Sequence, residues 1–143
     1  MGARAIGLSR RLLDAMTDYA NAHRQFGRPI GEFQLVQQMI ADSAIEIASA
    51  RLLMLHTAWR IDRGDPAREG ISMVKVQASE TLGRVADRAV QIFGGAGYCK
   101  DHAIERMYRD ARISRIYDGT SEIHRGVVAR GLLAQGTGAV LPE

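Results

Sequence analysis

Apolar residues recur along this chain at spacings of three and four, the period of a helix with one face turned inward. Leu8, Leu12, Met16 and Tyr19 draw such a stripe through a first predicted helix. Phe33, Val36 and Ile40 lead into a second, whose main stripe is Ile45, Ala48, Leu52, Leu55 and Trp59. A third carries Ile71, Val74, Ala78, Leu82, Val85, Ala89 and Ile92. No strand-like alternation of useful length is present, and Pro29, Pro66 and Pro142 all fall between or beyond the helices. The breaks are Gly27–Gly31, Arg63–Pro66, the glycine run Gly94–Gly97, and Asp118–Gly119, which divides a short fourth helix from a fifth. Long helices joined by short turns predict an all-α, up-and-down four-helix bundle with an additional short helix. The bundle is expected over residues 1–135, with a loose tail over 136–143. Met39, Ile47 and Met54 lie off the main stripe of helix two. A helix apolar on more than one side usually meets a second surface, so a homo-oligomer, dimer or tetramer, is expected.

Composition narrows the classes. At 143 residues, 46% apolar and 24% charged, the chain suits one ordinary globular domain. No apolar run approaches the roughly 20 residues of a membrane span, so none is expected. The single cysteine, Cys99, excludes an internal disulfide framework and fits a reducing, cytoplasmic compartment. A net charge of +3 is too mild for nucleic-acid binding. The arginines are clustered, however, with Arg106, Arg109, Arg112, Arg115, Arg125 and Arg130 inside 25 residues. They read either as a solvated face or as partners of a phosphorylated ligand or acidic surface.

The chemistry concentrates between Glu105 and Arg125: a basic helix, a turn with Asp118 beside Gly119, then Thr120 and a new helix start. Backbone N–H groups are free at such a turn and a ligand can come close. Metal chemistry finds no support, since none of the four histidines follows a glutamate by three residues and no HExxH or CxxC occurs. By composition alone, Gly94–Gly97 reads as a helix C-cap and Gln25, Gln34 and Gln37 as surface amides.

Three segments taken together change that reading. Tyr19 to Ile30 (YANAHRQFGRPI) with Gln34, Gln91 to Tyr98 (QIFGGAGY) and Arg106 to Arg125 (RMYRDARISRIYDGTSEIHR) resemble the stretches YAxxRxQFGxxI…Q, QxxGGxGY and RxYRDxRxxxIYxGTSEIxR of the acyl-CoA dehydrogenase family. They stand in family order and span nearly the whole chain. The resemblance implies the family's C-terminal helical domain, FAD as cofactor, an acyl-CoA substrate oxidised to the 2-enoyl-CoA, and an electron-transfer flavoprotein as electron acceptor. It further implies Asp118 as the catalytic base, with Tyr117, Gly119 and, more loosely, Arg130 near the substrate. Thr120 and Glu122 would meet the flavin. Gln25, Phe26 and Gln34 would hold the FAD of a neighbouring subunit, and Gln91, Gly94 and Gly95 the complementary side of that site. Two positions depart from the pattern. His23 stands where the family has an arginine, and Asp118 where many members have a glutamate. Some members carry the base on the first helix of this domain, at a position just before Met1. The first helix reads as beginning partway along, so the expectation is a truncated or isolated domain that folds and oligomerises but is inactive alone. The other readings are a non-catalytic assembly module of the same family and an acyl-CoA oxidase relative.

Overall fold

The computed structural model describes residues 1–140. Helix α1 spans Gly2–Ala22, α2 Gln34–Asp62 and α3 Arg68–Phe93. A single turn, α4 (Gly95–Tyr98), then leads to α5 (Ile104–Ile113) and α6 (Ser121–Gln135). The architecture is all-α, as the periodicity predicts. Helix α3 is its axis, packing against α1, α2, α5 and α6, while α1 also packs on α2. The interior is built from Leu12 and Met16 of α1, Ile47 and Ala50 of α2, Val85, Ala86 and Ala89 of α3, and Met107 and Ala111 of α5. Alanines along α3 let its neighbours come close, and the larger side chains fill the space between.

Two local features were not legible in the periodicity. The segment after α1 forms a two-residue hairpin, β1 (Arg24–Gln25) against β2 (Arg28–Pro29), with Gln25 paired to Arg28. Its tip turns because Phe26 and Gly27 both take positive φ, 52° and 83°. That is the twist a two-residue hairpin needs, and a phenylalanine gives no sequence warning of it. His23 and Arg24 therefore lie in extended chain beyond the end of α1. Helix α3 stops at Gly94, whose φ of 58° with ψ of −137° is a conformation open in practice only to glycine.

Helix α2 turns the opposite face inward from the one its large residues suggest. Ile45, Leu52, Leu55 and Trp59 are exposed, whereas Ser43, Ile47, Ala50 and Thr57 are buried. Small residues win the interior because α1 and α3 must approach closely. The Ser43 and Thr57 hydroxyls are satisfied within the helix, donating to the Met39 and Leu53 carbonyls at 2.7 and 2.9 Å. The apolar stripe that was expected to face the core is thus left on the surface. In the tail, Thr137–Ala139 form one 3-10 turn, and residues 141–143 lie outside the described residues.

Ion pairs tie the helices laterally. Glu46 of α2 accepts from Arg84 and Arg88 of α3 at 2.7 and 2.8 Å. Burial pushes the Glu46 carboxyl up, but the two arginines outweigh it and hold it below its ordinary value. Glu80 of α3 takes Arg125 of α6 at 2.7 Å, and that bond holds its carboxyl low. The arginine cluster is thereby divided. Arg125 and Arg109 serve intramolecular pairs with Glu80 and Glu105, while Arg106, Arg112, Arg115 and Arg130 form no ion pair among the described residues.

Candidate functional site

The chain between α5 and α6 is a tight turn. Tyr117 N–H still bonds back to Ile113, and Ser121 N–H reaches Arg115 at 3.2 Å, so the loop closes on itself. Between them Asp118 and Gly119 take positive φ, 55° and 89°. Aspartate is among the few residues that tolerate this region. Thr120 then caps α6, its hydroxyl accepting from Ile123 N–H at 3.4 Å. Glu122 in the first helical turn is exposed; its own N–H and the Thr120 hydroxyl hold its carboxyl below the ordinary value.

Asp118 is exposed and stands at the mouth of a cavity of about 300 Å³. Met1, Met54, Ile61, Ile71 and Val74 supply an apolar lining, so the carboxylate stands beside a largely apolar, solvent-open pocket. His124 crosses behind the turn. Its Nε2 lies 3.0 Å from the Asp118 carbonyl oxygen and its Nδ1 3.1 Å from Ser72 Oγ on α3. A side chain at position 119 would come within 2.8 Å of that imidazole, which is a second reason for glycine there.

Lys75 lies on the wall of the same cavity, only 4% exposed, and its ammonium has no hydrogen-bond partner. Burial pulls its pKa below 10.5, while Asp118, Glu122 and Glu80 pull the other way without cancelling it. The unfolded chain holds this proton up to its ordinary pKa and the folded chain gives it up earlier. Folding is therefore penalised at neutral pH, and the penalty fades as pH rises towards 10.5. Lys75→Met is expected to raise the stability of the chain by about 1–3 kcal/mol at neutral pH. That is about 2–4 °C in Tm per kcal/mol for a domain near this size. Thermal melts between pH 7 and 10 check it: the advantage of the variant should shrink with rising pH, and an unchanged or lowered Tm would contradict the unpaired ammonium.

The predicted site residues divide into two groups at opposite ends of α3. Asp118, Gly119, Thr120 and Glu122 cluster near its first turns, with Lys75. Tyr117 adjoins them in sequence but turns the other way, its hydroxyl 3.4 Å from Met1 Sδ and facing α1 and α5. Gln91, Gly94 and Gly95 lie at the last turn of α3. Tyr19 stacks on Phe93 at 4.1 Å and on His23 at 4.9 Å, which brings the Gln25–Phe26 hairpin to that same end. Lys75 and Phe93 are 18 residues apart on one helix, about 27 Å at the helical rise. Gln34 is exposed at the start of α2. Arg130 lines a separate groove with Arg68, Glu69 and Gly131, and does not reach the Asp118 cavity.

Ser72, Lys75 and His124 escaped the sequence reading. A lysine one position from the apolar stripe of helix three was the available signal for the second. His124 carries no signal in the sequence beyond its place in the segment Arg106 to Arg125.

Comparison with known proteins bears on the whole of this arrangement. Residues 1–133 match the family model described as acyl-CoA dehydrogenase, C-terminal domain. The chain is similar to acryloyl-CoA reductase (NADH) of Anaerotignum propionicum, 45% identical over 133 residues that cover 93% of this chain and 34% of that protein. Butyryl-CoA dehydrogenase from Megasphaera elsdenii superposes with a TM-score of 0.90 at 36% identity, over 92% of this chain and 34% of that one. The FAD complex of PigA does so with a TM-score of 0.90 at 34% identity, over 94% and 35%. The chain spans about a third of the length of these relatives. Among the described residues, no helix is long and apolar enough to cross a membrane. With α1, α2, α3, α5, the Asp118 turn and all but the last two residues of α6 inside the matched span, the chain belongs to the acyl-CoA dehydrogenase family and represents its C-terminal helical domain.

Proposed function

We propose that this chain is the C-terminal part of a flavin-dependent enzyme that dehydrogenates an acyl-CoA thioester between Cα and Cβ, with Asp118 as the base. The observation that carries this reading is the Asp118 carboxylate, held on a positive-φ turn at the mouth of an apolar cavity. The α-proton of a thioester is a weak acid. Its removal needs a base within hydrogen-bond reach, in a pocket from which water is kept. The Asp118 carboxylate takes that proton, and the backbone of Gly119, whose missing side chain makes way for the His124 ring, is the proposed contact for the thioester. Run in reverse, the same carboxyl would return a proton to a 2-enoyl thioester, in keeping with the reductase among the relatives. Arg130, exposed and without an ion pair, is the proposed contact for a CoA phosphate.

FAD fits the two groups of residues if two copies share it. Gly94 and Gly95 have no heavy atom within 4 Å of where a side chain would stand, and the Phe26 ring is 92% exposed. Together with Gln25, Gln34 and Gln91 they offer an open, amide-bearing surface suited to an adenosine and pyrophosphate. The Thr120–Glu122 turn of a second copy would meet the ring end. Bound FAD would supply the hydride acceptor, which no side chain offers. Electron-transfer flavoprotein is the acceptor proposed beyond it. The bare, apolar outer face of α2 is the proposed contact between copies.

The reading as a non-catalytic assembly module rests on His23. Its ring stacks on Tyr19 and lies 3.3 Å from Gln25 Nε2, and Arg24 donates to the Gly27 carbonyl at 2.9 Å. Both side chains proposed to lie nearest a pyrophosphate are thus already engaged. Assay of the 143-residue chain with a series of acyl-CoA thioesters, FAD and a dye acceptor separates the readings in combination with the longer protein. The chain alone is expected to be inactive and the longer protein active. Turnover by the chain alone would overturn the domain reading, and an inactive longer protein would favour the assembly module.

A further inference from the structure

Two consecutive residues with positive φ, one of them an aspartate, cost on the order of 1–3 kcal/mol and persist only where the surroundings hold them. The backbone bonds that close the loop, from Tyr117 and from Ser121, leave the Asp118 peptide itself untied. Among the described residues, the one side-chain hydrogen bond to that peptide comes from His124. A carbonyl can only accept, so of the two single-proton tautomers the geometry selects the one with its N–H on Nε2. Nδ1 is then the acceptor, and the hydroxyl of the buried Ser72 donates to it across 3.1 Å. The result is a rigid relay from α3, the most embedded helix, through the ring to the turn. A rigid ring that offers a donor at one end and an acceptor at the other is what this span requires.

We propose that His124, seated on Ser72, is the positioning residue that sets the Asp118 turn and hence the reach of its carboxylate. The functional half of this inference rests on the reading of Asp118 as the base. Aspartate is a methylene shorter than the glutamate in the family motif, so the position of its backbone decides whether it reaches the α-carbon. A misplacement on the order of 1 Å costs roughly 100-fold in rate. His124 acts only through the Asp118 peptide and touches no reacting atom in this scheme.

The structural half is tested on the 143-residue chain by NMR. Ring 15N shifts are expected to report the Nε2–H tautomer. In His124→Leu, the Ser121 amide should exchange about tenfold faster, the equivalent of one lost hydrogen bond, while amides of Val85 and Ala86 hold. A Nδ1–H tautomer, or unchanged Ser121 exchange, would overturn the proposal. The catalytic half is tested in the longer flavoprotein. His124→Leu should lower kcat roughly 100-fold with KM little changed, and His124→Gln, which keeps an amide donor, should recover part of the loss. An unaltered kcat in His124→Leu alongside an inactive Asp118→Asn would refute it. Full turnover by Asp118→Asn, with the tautomer and exchange results intact, would remove the base and leave the clamp on the turn supported.

Discussion

Asp118→Asn in the flavin-loaded protein that carries this chain is expected to slow reduction of the flavin by acyl-CoA by about 100-fold or more, the usual worth of a positioned general base. The substitution is chosen because it isolates the proton transfer. Asparagine tolerates positive φ as readily as aspartate, so the 55° at this position is no obstacle, and alanine would add backbone strain to the loss of the carboxylate. Asp118 is exposed and makes no side-chain ion pair among the described residues, but its charge is the largest that offsets burial of the Lys75 ammonium, so the variant should stay folded and melt slightly below the parent. It should also keep its FAD, since the Asp118 carboxylate is not among the proposed cofactor contacts. Stopped-flow absorbance reads the rate and the visible spectrum reads the cofactor. Normal reduction kinetics would move the base to another residue. A joint loss of flavin and rate would mean that Asp118 holds the cofactor site together.

The second large effect concerns assembly. Leu52 is 66% exposed and Trp59 52%, and with Ile45 and Leu55 they form one uncovered stripe on α2. Covering a leucine is worth about 1.5–3 kcal/mol, and each substitution counts twice across a two-fold contact. Leu52→Asp also puts a charge where the partner would have to desolvate it. Sedimentation is expected to show an oligomer for the parent chain and a 15.7 kDa monomer for the variant. Circular dichroism should be unchanged, because the buried face of α2 is Ser43, Ile47, Ala50 and Thr57 and stays intact. A parent chain that is already monomeric at micromolar concentration would refute this surface as the contact.

The fold was legible because long helices announce themselves through spacing, and the interior of α3, from Val74 to Ile92, lies where its stripe predicts. Helix α2 misled for a definite reason. Burial there selects small residues and self-satisfied hydroxyls, so the larger apolar residues mark the outside, and periodicity alone does not tell the faces apart. The hairpin at Phe26 was invisible because its turn depends on a backbone conformation that phenylalanine seldom takes. Of the candidate site, the Asp118 turn could be read from its Asp-Gly-Thr chemistry. Its support could not. Ser72, Lys75 and His124 are separated by up to 52 positions and meet only after α6 folds back on α3. The division of the predicted cofactor residues between two ends of α3 likewise emerges only in three dimensions, and it is what ties the proposed cofactor site to assembly.

The most direct test of the account is the anaerobic visible spectrum of the longer protein, purified with this chain in place and mixed with a saturated acyl-CoA. The expected result is a bound flavin whose visible band bleaches within the mixing experiment, with one enoyl-CoA formed per flavin reduced. A protein without flavin, or one whose flavin band is unmoved by any acyl-CoA in the series, would contradict it.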